Sequence, residues 1–84
     1  MTPEQIKALL EQGIPGAEVH VDGNGGKFEL RVIAAAFDGL TPVRKQQLVY
    51  SFLNEQIADG SIHAVTMQTF TPEQWEQARR VGTF

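Results

Sequence analysis

Apolar residues recur at two different spacings along this chain, and the switches between them mark its elements. Ile6, Leu9 and Leu10 share one face at helical spacing, which predicts a helix over residues 3–12. Thr2 is placed to cap it, Pro3 suits the first helical position, and Gln5 can return a bond to the cap. Gly13 is expected to close this helix in the left-handed conformation, and Pro15-Gly16 prevents its continuation. Over residues 17–22 the period falls to two, with Val19 and Val21 on one side and Glu18, His20 and Asp22 on the other. Residues 27–34 alternate in the same way: Phe28, Leu30 and Val32 face inward, while Lys27, Glu29 and Arg31 face out. The residues between, Gly23-Asn24-Gly25-Gly26, accept positive φ at little cost and predict an antiparallel hairpin. Its outward faces carry opposite charges that can pair across the strands.

The helical period returns after Thr41-Pro42, where Val49, Phe52, Leu53 and Ile57 form an apolar stripe and predict one helix over 42–58, ending near Asp59-Gly60. Residues 61–70 are strand-like, with Val65 and Met67 expected inward. Thr71-Pro72-Glu73-Gln74 then opens a final helix through about Arg80, with Trp75 as its expected anchor on the core. The tetrapeptide Thr-Pro-Glu-Gln also occurs at 2–5. Capping physics explains both copies without a duplication: a hydroxyl cap, a Pro in the first turn, an acid at the positive dipole end and a reciprocal Gln.

The order α-β-β-α-β-α predicts an α+β domain, its helices packed on one face of a three-stranded mixed sheet. The helix between strands two and three is a crossover, which lets strand three lie parallel beside strand two with right-handed chirality. Parallel neighbours start side by side. His63, at the start of strand three, is therefore expected near the glycine loop and Lys27, while His20 on strand one falls about 10 Å or more away at an interstrand spacing near 4.8 Å.

Length and composition narrow the chemistry. The 84 residues make one domain, because a chain this short cannot build two cores. There are no cysteines, which excludes disulfides, zinc-thiolate sites, a thiol nucleophile and a self-held iron–sulfur cluster. A net charge of −3 and a pI near 5.2 have the wrong sign for holding phosphate backbones by bulk charge. No apolar run approaches the roughly 18 residues of a membrane span, and the start Met-Thr-Pro-Glu-Gln lacks the regions of a signal peptide. The expectation is a soluble cytoplasmic protein with no membrane partner.

A lone Tyr50 and two separated histidines supply no nucleophile, base and orienter set, so the chain is read as a non-enzyme without a small-molecule substrate. Gly23 to Gly26 fits the GxxG string of RNA-binding KH domains, but that motif lies between two helices and this one joins two strands. Arg44 and Lys45 sit near a helix N-terminus, where cations oppose the macrodipole. They point to an anion-facing or partner-facing patch, extended by Arg79, Arg80 and Lys27, or else to pairing with Asp38 or simple solubility. His63 is a candidate metal ligand in a stretch whose only charged side chain from Ser61 to Gln74 is Glu73. His20 is a weaker candidate, sharing a polar face with Glu29 and Arg31.

Several fragments combine here: Phe37-Asp38-Gly39 before the helix with Val43-Arg44-Lys45-Gln46-Gln47-Leu48-Val49-Tyr50, then Ile62-His63-Ala64-Val65, then Thr71-Pro72-Glu73-Gln74-Trp75. In this order and spacing they resemble the BolA family, from the first helix to the last. Val19-His20-Val21 before a short Gly-rich turn, and Lys45-Gln46-Gln47 where many members carry Arg-His-Arg, are most similar to its short acid-stress-associated subgroup, IbaG or YrbA. The resemblance implies a class II KH-like fold. It also implies partnership with a monothiol glutaredoxin, in which a bridging [2Fe-2S] cluster is ligated by the glutaredoxin cysteine, glutathione and BolA side chains. No cofactor is expected in the isolated protein. The alternative it implies is a DNA-binding transcriptional regulator of the stress response. The family's histidine at the start of the last strand matches His63. Its Ser-His-Phe at the start of strand two is Gly26-Lys27-Phe28 here, and a lysine ammonium is a poor iron ligand.

Overall fold

A computed structural model describes residues 1–81. Helix α1 (Pro3–Gly13) leads into strands β1 (Glu18–Asn24) and β2 (Lys27–Ile33), and a 3-10 turn at Ala35–Phe37 precedes helix α2 (Pro42–Ser51). A short helix α3 (Asn54–Ala58), strand β3 (Ala64–Phe70) and helix α4 (Pro72–Arg80) complete the chain. The sheet order is β1-β2-β3, with β1 antiparallel and β3 parallel to β2. The three-stranded mixed sheet of an α+β domain is thus the one the periodicity predicts.

Both Thr-Pro-Glu-Gln segments do the same work. Thr2 and Thr71 each accept a bond from the third helical N–H, and Gln5 and Gln74 each bond back to the cap residue's N–H. Thr41 caps α2 by accepting from Arg44 N–H at 3.2 Å, but Arg44 cannot reciprocate as an acceptor.

The alternation predicts the core correctly. Ile6, Leu10 and Ile14 from α1 meet Val19, Phe28, Leu30 and Val32 from the hairpin, with Phe37, Val49, Leu53 and Ile62 closing the other side. Val65 and Met67 pack against this cluster, as their parity predicts. Fully burying side chains of this size contributes about 1.5–3 kcal/mol each, which is how so short a chain holds one stable layer pair.

Four local expectations are corrected. Gly13 is the last residue of α1, and the left-handed residue is Gly16 at φ +78°. Gly13 serves close packing instead: a Cβ there would stand 2.5 Å from Cδ1 of Phe52. The helix expected over 42–58 breaks after Ser51. The Ser51 hydroxyl donates to the Leu48 carbonyl, a back-bond that competes with the helical ladder, so Leu53 is buried while Ile57 is left 39% exposed. The outward charges do not face their opposites: the register puts Asp22 across from Glu29 and His20 across from Arg31. Trp75 does not anchor on the core. It lies under the Arg31 guanidinium, 4.5 Å from the ring centroid, and 5.4 Å from the Phe70 ring. Arg31 and Phe70 are outward-facing, so α1 and α2 cover one face of the sheet whereas α4 leans over the end of the other.

Replacing Gly13 by Ala gains up to about 1 kcal/mol of helix propensity but forces Phe52 aside, at a typical overpacking cost of about 1–3 kcal/mol. The expected outcome is a net loss of about 1 kcal/mol in urea unfolding, with an unchanged m-value. Stabilisation of Gly13→Ala would show that the Phe52 contact is not tight.

Candidate functional site

The hairpin builds the site from its turn. β1 and β2 run to Asn24 and Lys27, so only Gly25 and Gly26 make the connection. Both have positive φ, +59° and +83°, as a two-residue type I′ turn requires to match the strand twist. The carbonyl of Gly26 accepts from two amides, His63 N–H at 2.7 Å and Ala64 N–H at 3.1 Å. This fixes the start of β3 beside the turn, and Lys27 becomes the register partner of Ala64.

His63 is exposed and its imidazole lies directly against Gly26, so close that a Cβ at position 26 would overlap the ring. The expected juxtaposition of His63, the glycine turn and Lys27 is therefore present. Beside it a cleft of about 460 Å³ runs over the outward face, lined by Asp22, Lys27, Glu29, Ala64 and Thr66 among others. Its lining includes one lysine and two acidic residues. Lys27 lines this outward cleft, which His63 does not, so Lys27 is a neighbour of His63 through the backbone pairing with Ala64 and supplies no second ligand.

His20 is not brought to this site. It is exposed, its Nε2 lies 3.3 Å from Glu18 Oε2, and its register partner is Arg31, which is opposite Gln68. Gln68 is four positions along β3 from Ala64, about 13 Å at a rise near 3.3 Å per residue, and β1 is two strands across. Because the turn is short and β1 stays paired to its end, the loop does not fold back. His20 and His63 are thus too far apart to share a metal, the separation that the strand order predicts. Among the described residues no three His, Cys, Asp or Glu side chains converge to hold a metal ion.

The cations of the expected patch are dispersed. Lys45 is buried, 5% exposed, and its Nζ donates to Gln74 Oε1 at 2.7 Å. It ties α2 to the capping box of α4, so it leaves the surface patch. Burial on α2 facing α4 is a signal the sequence did not display, because a Lys four positions before Val49 reads as a flank of the apolar stripe only once α4 is in place. Arg44 is exposed. Arg79 and Arg80 both reach Glu76, at 2.8 and 3.6 Å. Lys27 begins β2, at the opposite end of the sheet from α4. No helix among the described residues is long and apolar enough to cross a membrane.

An α-β-β-α-β-α chain with a glycine turn clasping the start of a parallel third strand defines a class of small α+β domains, and sequence comparison says which. Residues 6–74 match the family described as BolA-like protein, and the chain belongs to the BolA family. The acid stress protein IbaG of Escherichia coli K12 is 39% identical over 84 residues, covering all of both chains. A solved BolA homologue from Coxiella burnetii is 32% identical with a TM-score of 0.78, covering 90% of this chain and 97% of its own. The BolA domain of SufE1 from Arabidopsis thaliana is 26% identical with a TM-score of 0.76, covering 84% and 92%.

The contact between Gly26 and His63 makes a direct test. Gly26→Ala is expected to lose about 1–2 kcal/mol from the left-handed backbone and to shift the His63 ring resonances in NMR spectra. Gly25→Ala, with open space around its Cβ, is expected to show a similar stability loss and unmoved His63 resonances. Equal His63 shifts in both variants would separate the imidazole from the turn.

Proposed function

We propose that this BolA-family protein is an adaptor that binds a monothiol glutaredoxin and contributes His63 as one ligand to a [2Fe-2S] cluster, the other ligands being the glutaredoxin cysteine and glutathione. The observation that carries this reading is the exposed His63 imidazole held against Gly26 at the start of β3. The donor set suits a shared cluster and not a resident one. This chain has no thiolate, and one imidazole is what it can add at this position, as imidazoles replace thiolates on one iron of Rieske centres. The fixed Gly26 carbonyl bonds hold the backbone of His63, so the ring is oriented before a partner arrives. The name of the Escherichia coli relative supports a stress-related role for the protein.

The test is anaerobic co-expression with a monothiol glutaredoxin and the visible spectrum of the purified complex. His63→Ala is expected to alter the ligand-to-metal bands and to shorten the cluster lifetime by about tenfold or more, since even outer-shell changes cost 10–100-fold at metal sites. His20→Ala is expected to leave both unchanged. An unaltered spectrum and lifetime in His63→Ala would remove the ligand assignment, and absence of any complex would remove the adaptor reading.

A further inference from the structure

The two edges of the sheet are not alike. β1 carries Glu18, His20 and Asp22 on its outward side and has α1 packed along it, the usual protections of an edge strand. β3 is the other edge, and its seven residues, Ala-Val-Thr-Met-Gln-Thr-Phe, include no charge, no Pro and no Gly. The direction of its free groups follows from the parallel pairing, in which alternate residues turn both N–H and C=O to the same neighbour. Ala64 N–H bonds to Gly26 and the Phe70 carbonyl accepts from Ala34, so the even-numbered residues face β2. The N–H and C=O groups of Val65, Met67 and Thr69 therefore point to the open edge. Outside the sheet ladder, no backbone bond to these three residues occurs among the described residues.

We propose that this edge is a self-association surface, on which β3 pairs antiparallel with β3 of a second copy, about a two-fold axis through Met67. That register is the one that uses every free group: Val65 meets Thr69 of the other copy, Met67 meets Met67, and Thr69 meets Val65, each a pair that exchanges both bonds. The side chains match as well. On the core side the half-buried Val65, Met67 and Thr69 meet their counterparts and continue the apolar layer. On the outer side Thr66 lies across from Gln68, and Ala64 leaves room opposite Phe70. No like charges meet anywhere along the edge, whereas β1 paired with itself would set acid against acid.

The product is a six-stranded sheet with the α1 and α2 helices of both copies on the same face. The two His63 residues fall at opposite ends of the shared edge, about 26 Å apart along the strands at 3.3 Å per residue. They cannot meet on one cluster, so this dimer forms without metal and is separable from the glutaredoxin reading.

Sedimentation of the purified chain up to about 1 mM, the weak end of specific association, is expected to show a concentration-dependent species of twice the 9.3 kDa chain mass. Thr66→Lys combined with Gln68→Lys leaves the core untouched, sets lysines opposite each other across the two-fold, and is expected to abolish that species. Met67→Cys gives the chain its single thiol. In a bonded antiparallel pair the two Cα atoms at the axis stand about 5.5 Å apart, within disulfide reach, so mild oxidation is expected to cross-link it, whereas Asp22→Cys on β1 stays uncrosslinked. Amide exchange of Val65, Met67 and Thr69 is expected to slow as concentration rises. A chain that stays monomeric to 1 mM overturns the proposal, and so does a dimer that survives the double lysine variant. Protection of these amides by a glutaredoxin, with the chain alone monomeric, would assign the edge to that partner and likewise overturn self-pairing.

Discussion

Two amides share one carbonyl at the heart of this fold: His63 and Ala64 both donate to Gly26. A carbonyl has two lone pairs and can serve both, but only if the chain approaches it closely, and here the residue carrying the carbonyl is a glycine whose missing side chain leaves room for the imidazole. That junction joins two segments 37 positions apart. It sets the register of β3 against β2, and the register in turn determines which side chains face the core, which face the cleft and which backbone groups are left at the edge. A slip by one residue would turn Val65 and Met67 out of the core and bring Thr66 and Gln68 into it.

The same junction accounts for the character of the site. A histidine at a strand start is ordinarily free to rotate, and packing against Gly26 restricts it. Lys27 begins the strand that leaves the turn and is the register partner of Ala64, and its side chain goes to the outward cleft. The acidic side chains Asp22 and Glu29 stand two pairs further along the hairpin. The outer face at this end carries charges of both signs, quite different from a basic track along a phosphate backbone.

At the other end of the sheet the fold uses its polar groups for itself. Lys45 spends its ammonium on Gln74, whose side-chain oxygen also caps the Thr71 N–H. A buried ammonium leaves few alternatives, because an unpaired buried charge is costly. Arg31 is absorbed in the same region by the Trp75 ring, a contact that also holds α4 over the outer face.

The strands, the capping boxes at Thr2 and Thr71, the inward parity of the hairpin and the neighbourhood of His63 were legible in the chain itself, because each depends on short-range periodicity or on a local hydrogen bond. Element order added the parallel pairing, since a helical crossover between strands allows it. What the chain did not display were features that depend on distant segments meeting. The fate of Lys45 depended on α4 arriving beside α2, and the role of Gly13 on the Phe52 ring crossing above it. The facing of Asp22 with Glu29 depended on a two-residue turn where four residues looked able to share the bend. His20 and His63 are equally good ligands as residues in a list. The sheet separates them by two strands and five positions, because strand register, which no single segment encodes, decides which side chains are neighbours.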